Sequence, residues 1–348
     1  MQKILHVLFG FWVSSCVYWP AVADSWDWAN DPTHFDSQLE YRFDQLPLKA
    51  AVPANETPWS ESFWPRIKGS INYRWNTPNP TGFNLRSPVR TEIGSMSIPQ
   101  LATLSPAEKF DLARGLYDYP LSTKIAQVYA NRNAKEWEGV CDGWSASAIQ
   151  FKEPKAIVFT NPDGLKIPFG SSDIKGLMSF FAASQDLGSV VIGQYCSRGS
   201  RILNRNRCDD VNPGTYHLLL ANSIGIKQKS IIADVDPNYQ TWNQPVYGYE
   251  FTVLGSARTN SSGRGIRIHS KMLYTDELEV SQWEPVVGTP FFLGAVLESD
   301  YILELDTQGR ITGGEWLNSN HPDVLWKATK NIQFSGEFEL LNKLYQPN

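Results

Sequence analysis

The sequence predicts an α+β domain in which helices come first and an antiparallel sheet follows, and three observations carry that prediction. Capped, helix-like segments cluster between about residues 104 and 183. Short apolar or alternating runs divided by Gly, Asn and Pro dominate from about residue 216 onward, a segregation that suits α+β rather than alternating βαβ units. A chain of 348 residues with 42% hydrophobic content supplies a sizeable core, so disorder is not the expectation.

Ser105-Pro106-Ala107-Glu108 is a capping box with Pro at the first helical position, which opens a helix through about Leu116. A second helical stretch covers Thr123 to Ala130. In the run WEGVCDGWSASAIQF, Gly139 ends the preceding segment, Gly143 permits a tight approach, and Ser145 to Ala148 continue as a closely packed helix. Phe169-Gly170-Ser171-Ser172 caps a further helix from Asp173 to about Ala183, with apolar residues at Ile174, Leu177, Met178 and Phe181. Strands are predicted over Tyr216 to Ala221, Ser230 to Val235, Tyr247 to Leu254, Ile266 to Tyr274, Tyr301 to Leu305 and Arg310 to Trp316.

The first 23 residues read as an export signal: Lys3, an apolar run from Ile4 to Tyr18, then Pro20 and the small-residue site Ala21-Val22-Ala23. A lipoprotein signal ending at Cys16 fits less well. The mature protein is therefore expected to be secreted or periplasmic, and no other stretch is long enough to span a bilayer. Residues 24–98, rich in Trp, Pro, Asn and Ser, read as an N-terminal arm or pro-like segment, and 99–348 as the catalytic domain. A net charge of −5 without basic runs argues against a nucleic-acid partner. The 13 Trp residues suit polymer contact through aromatic faces, although core filling explains them more simply.

Export leaves Cys141, Cys196 and Cys208. The last two lie 12 apart in CSRGSRILNRNRC, where a disulfide would staple an irregular loop, and Cys141 is then the odd thiol. An unpaired thiol in an oxidising compartment is either a buried inert residue or one whose reactivity is used. Placed near a helix N-terminus, Cys141 would meet free N–H groups and a dipole that favour a thiolate and can hold an oxyanion. Trp137 and Trp144 would wall the site.

A thiol nucleophile calls for an imidazole. His217 in GTYHLLLAN, at the mouth of a predicted strand, and His321 in GGEWLNSNHPDVLW are the rival bases, with His217 favoured on strand context. Asp234 in SIIADVDP is the orienting acid for an imidazole on the neighbouring strand. No zinc-type spacing, phosphate loop, Ser-centred elbow or EF-hand is present; Asp163, Asp209 and Asp210 read as loop solvation before they read as calcium ligands.

WEGVCDGWSASAI, PFGSSDIKGL, NPGTYHLLLANSIG, DVDPNYQTWNQPVYGYEF, LELDTQGRITGGEW and HPDVLW together resemble the transglutaminase elicitor family of oomycete cell-wall proteins and their bacterial relatives, over about Leu104 to Trp326. The resemblance implies a cysteine-protease/transglutaminase-like core with a nucleophile helix on an antiparallel sheet. It further implies a calcium-dependent protein-glutamine gamma-glutamyltransferase with Cys141 as nucleophile, acting on protein substrates with accessible Gln and Lys, cell-wall proteins among them. Trp242-Asn243-Gln244-Pro245-Val246 matches the core of the family's surface peptide perceived by plants, which marks Trp242 as a binding residue. Tyr247 stands where that peptide has Arg, so elicitor activity does not follow. Two rivals share the evidence: a cysteine endopeptidase or peptidoglycan amidase, and a non-catalytic wall-binding protein.

Overall fold

The computed structural model describes residues 26–194, 210–236, 240–258 and 264–348. The expected leader, Cys196 and Cys208 lie outside the described residues.

The capping box forms as predicted: Ser105 N donates to Glu108 Oε2 (3.0 Å), Glu108 N donates to Ser105 Oγ (3.2 Å), and helix α1 runs Pro106–Ala113. The second predicted helix is a short turn, Pro120–Lys124, that widens into a π-turn over Ile125–Tyr129. Helix α2 spans Cys141–Gln150 and α3 spans Ser171–Ala183, where Gly170 N donates to Asp173 Oδ2 at 2.7 Å and begins the helix two residues before the sequence expectation. Helix α4, Pro213–Leu220, replaces the strand predicted over Tyr216 to Ala221. Its start carries a helix signal: Asn212 Oδ1 accepts from Gly214 N at 2.8 Å, and Pro213 sits at the first position.

Strands β1 (Lys49–Ala51) and β4–β10 build one antiparallel sheet. Its members are β4 (Ser189–Gly193), β5 (Ile231–Asp234), β6 (Asn243–Ala257), β7 (Arg264–Thr275), β8 (Gly294–Leu305), β9 (Ile311–Trp316) and β10 (Val324–Ala328). The order is β4-β10-β5-β6-β7-β8-β9, with β1 added on β6. Strands β2 (Ile157–Thr160) and β3 (Lys166–Phe169) form a separate hairpin.

Side-chain alternation along β5 and β10 separates two cores. Ile232, Val324 and Trp326 face a core shared with α2 and α3, whereas Ile231, Ala233 and Leu325 face a second core shared with α4. Both strands are therefore covered on both faces.

Residues 26–98 are built into this body. Strand β1 pairs with β6, Trp59 and Trp64 are fully buried against α2 and α3, and Trp144 Nε1 donates to Trp59 O at 3.1 Å. Buried charges join the two parts: Ser172 Oγ donates to Glu61 Oε2 (2.6 Å) and Lys175 Nζ donates to Ser60 O (3.0 Å). No helix among the described residues is long and apolar enough to cross a membrane.

Candidate active site

Cys141 is the first residue of α2, and nothing caps the helix from the side chain of Val140. The motif glycines set its position. Val140 N donates to Phe63 O at 2.8 Å, and a Cβ on Gly139 would lie 2.3 Å from that same oxygen. A Cβ on Gly143 would lie 2.1 Å from Ser179 O, so glycine lets α2 cross directly against α3. Ser145 Oγ donates to Asn243 O at 2.6 Å and ties the helix to β6.

The thiol is 7% exposed and lines a pocket of about 610 Å³. Its Sγ donates toward Thr241 O and accepts from Asn243 Nδ2, both at 3.7 Å. Trp326 Nε1 donates to Asn243 Oδ1 at 2.7 Å, which fixes the amide so that its NH₂ end faces the sulfur. Burial pushes the Cys141 thiol up to about 12, and the nearby Asp142 charge adds to that, while the N–H groups of Asn243 draw it back. Burial thus favours the neutral thiol over the thiolate.

None of the four described histidines lines this pocket. His217, predicted at a strand mouth facing the thiol, lies on α4 in the second core, on the opposite face of the sheet from Cys141. It is fully buried, stacks on Phe251 with ring centroids 4.0 Å apart, and shares a 2.8 Å hydrogen bond between Nδ1 and Tyr301 Oη. Burial pushes its pKa down to about 3. His321 stacks on Trp316 (4.7 Å, 9° between planes), and its Nε2 is 3.9 Å from Asp210 Oδ2. Trp316 packs against the second core, and His321 is not among the residues that line the pocket.

Asp234 fares differently. It pairs in register with Asn243 and follows Ile232 by two residues, so its side chain stands beside Asn243 on the face that carries Cys141. Oδ1 accepts from Trp242 N (2.8 Å), whereas Oδ2 is buried without a partner, and burial raises the carboxyl to about 7.

Of the three expected binding tryptophans, Trp137 lines the pocket. Trp144 does not; it is fully buried beneath α2 and serves packing. Trp242 lies edge-on to Phe63 at 5.1 Å, between the pocket residues Thr241 and Asn243. Asn243, Trp326, Arg66 and Asp142 were not singled out from the sequence as site residues, although Asn243 stands inside the quoted WNQPV run and Asp142 adjoins the nucleophile.

For calcium, no group of three or more His, Cys, Asp or Glu is arranged to hold a metal ion among the described residues.

A helix presenting a cysteine at its first turn, laid on an antiparallel sheet beneath a pocket, defines an α+β protein with a single buried thiol at its candidate site. The crystal structure of the GP42 transglutaminase from Phytophthora sojae superimposes with a TM-score of 0.65 over 87% of this chain and 90% of that one, at 21% identity. At that identity the likeness speaks for the fold. A search among curated proteins finds no match. The sequence profile of the transglutaminase elicitor family matches residues 27–85 and 126–265, more than half of the chain, and the chain belongs to that family. The matched stretch includes the arm from residue 27, upstream of where the motifs alone show a likeness.

Proposed function

We propose that the protein is an exported acyl transferase of transglutaminase type, in which Cys141 forms a thioester with the side chain of a protein-bound Gln and passes the acyl group to a primary amine. The observation that carries this reading is the seat of the sulfur: helix-first, on the floor of a pocket, with the Asn243 amide held against it. Attack of Sγ on the amide carbon forms the C–S bond and expels ammonia. The unpaired N–H groups of the first turn of α2 and Asn243 Nδ2 are the donors available to the oxyanion.

A thiol near 12 is not an ion pair waiting for substrate, so its proton leaves as the bond forms, by general-base assistance. Of the partners read from the sequence, Asp234 shares the face of Cys141, and we assign it as the group that takes up that proton and returns it to the leaving nitrogen. The likeness in fold and the family membership support this chemistry.

The test is incorporation of a labelled primary amine into a Gln-containing protein by the mature chain and by Cys141→Ala, with and without chelator. Incorporation that vanishes in the variant supports the proposal. Hydrolysis without incorporation would instead assign an endopeptidase or amidase, and activity indifferent to Cys141→Ala would leave a wall-binding protein.

A further inference from the structure

We propose that Asp142 recognises the acyl acceptor: its carboxylate binds the ammonium of a primary alkylamine, such as a Lys side chain, and selects it over neutral nucleophiles. The inference rests on the acyl-transfer reading of Cys141.

Four charged residues line the pocket: Arg66, Glu138, Asp142 and Asp186. Three of them are already paired. Arg66 Nη1 meets Glu138 Oε2 at 3.2 Å, and Asp186 Oδ2 meets Lys330 Nζ at 2.7 Å. Asp142 has no basic partner among the described residues, and it is the residue next to the nucleophile. Its side chain is exposed into the pocket, yet the surrounding protein still desolvates it and raises its pKa, against the N–H groups of Gly143 and Asp142 itself. An anion in that position lacks a counterion that an arriving ammonium supplies. Ala182, Leu187 and Val191, with the rings of Trp137 and Trp326, offer an apolar wall for the methylene stem. The neutral amide of a Gln donor needs no such partner, so the charge discriminates acceptors and not donors.

In the transfer step, the Asp142 carboxylate takes one proton from the ammonium. The freed amine attacks the thioester carbon, a C–N bond forms, the C–S bond breaks, and a second N–H proton passes to the leaving sulfur. The third hydrogen stays on the new amide, Cys141 is again a thiol, and Asp142 returns to carboxylate by releasing its proton to solvent in the open pocket.

Asp142 also pushes the Cys141 thiol up, so neutralising it has two opposed effects. The experiment compares the full mature chain with Asp142→Asn and Asp142→Glu, using a dansylated alkylamine that is cationic at pH 7.5 and hydroxylamine, which is neutral there. Asp142→Asn should lower the ratio of kcat/KM for alkylamine over hydroxylamine about fivefold, the weight of one partly screened charge pair. It should also speed alkylation of Cys141 by iodoacetamide at fixed pH, and Asp142→Glu should restore much of the ratio. An unchanged ratio overturns the inference while the wild type still makes both products. A wild type that forms neither product overturns the acyl-transfer reading and this inference with it.

Discussion

His217→Phe should leave amine transfer intact and change how stability depends on pH. The imidazole is fully buried, its Nε2 has no partner, and its native pKa lies near 3 against an ordinary value of 6.5. A group with a depressed native pKa contributes stability that is fully present above its unfolded value and is lost as pH falls toward the native one. At pH 4.5, two units below 6.5, the unfolded chain is protonated at this site and the folded chain is not. At about 1.36 kcal/mol per unit this withdraws about 3 kcal/mol from the wild type. Phe cannot titrate and keeps the stacking on Phe251, at the loss of one hydrogen bond to Tyr301, about 1 kcal/mol. The variant should therefore be the less stable protein at pH 7.5 and the more stable one at pH 4.5. Urea unfolding of both proteins at the two pH values reads the crossing, and carboxyls with raised pKa, such as Asp234, cancel in the comparison. If His217→Phe unfolds normally but loses amine transfer, the imidazole acts as the base and the placement of the two cores has been misread.

Asn243→Ala removes the donor at the sulfur and should lower kcat about 100-fold, as loss of one oxyanion donor does, with KM for the Gln donor little changed. Gly143→Ala forces a Cβ to within 2.1 Å of Ser179 O and should destabilise the chain by about 1–3 kcal/mol in thermal unfolding. A chain beginning at Pro99 loses Trp59 and Trp64, buried side chains worth about 3–5 kcal/mol each, and should not fold; a folded and more active product would instead mark the arm as an inhibitory segment.

The parts of the fold legible in the sequence were those whose signals are local. The Ser105–Glu108 box, the Gly-flanked Cys141 run and the alternating strand β7 announce themselves through caps, glycine and period, whereas of β8 only its end from Tyr301 to Leu305 does so. Helix α4 reads as a strand in the sequence because every one of its residues is buried, which erases the 3.6-residue period and leaves a uniformly apolar run. The Asn212-Pro213 start was the signal that could have corrected it. With the helix misplaced, His217 was assigned a strand mouth that does not exist. A histidine's role depends on which face of the sheet receives it, and that is a tertiary fact.

The start of β6 shows the opposite case, a signal present but read as something else. The sequence predicts the strand only from Tyr247, and Pro245 stands just before it, where proline removes a ladder donor. The ladder tolerates it here: β7 pairs only from Val246 onward, and on the other side Pro245 sits opposite Ile232 of β5. The strand therefore begins at Asn243 and carries two consecutive amides, Asn243 and Gln244, both buried to within 4% exposure. Adjacent strand residues point to opposite faces, so one amide reaches the sulfur while the other reaches Glu277. Buried amides on both faces of a strand need partners, and one of the partners found here is the thiol. In this chain the Asn243-Gln244 pair ahead of Pro245 thus marks the site independently of any histidine.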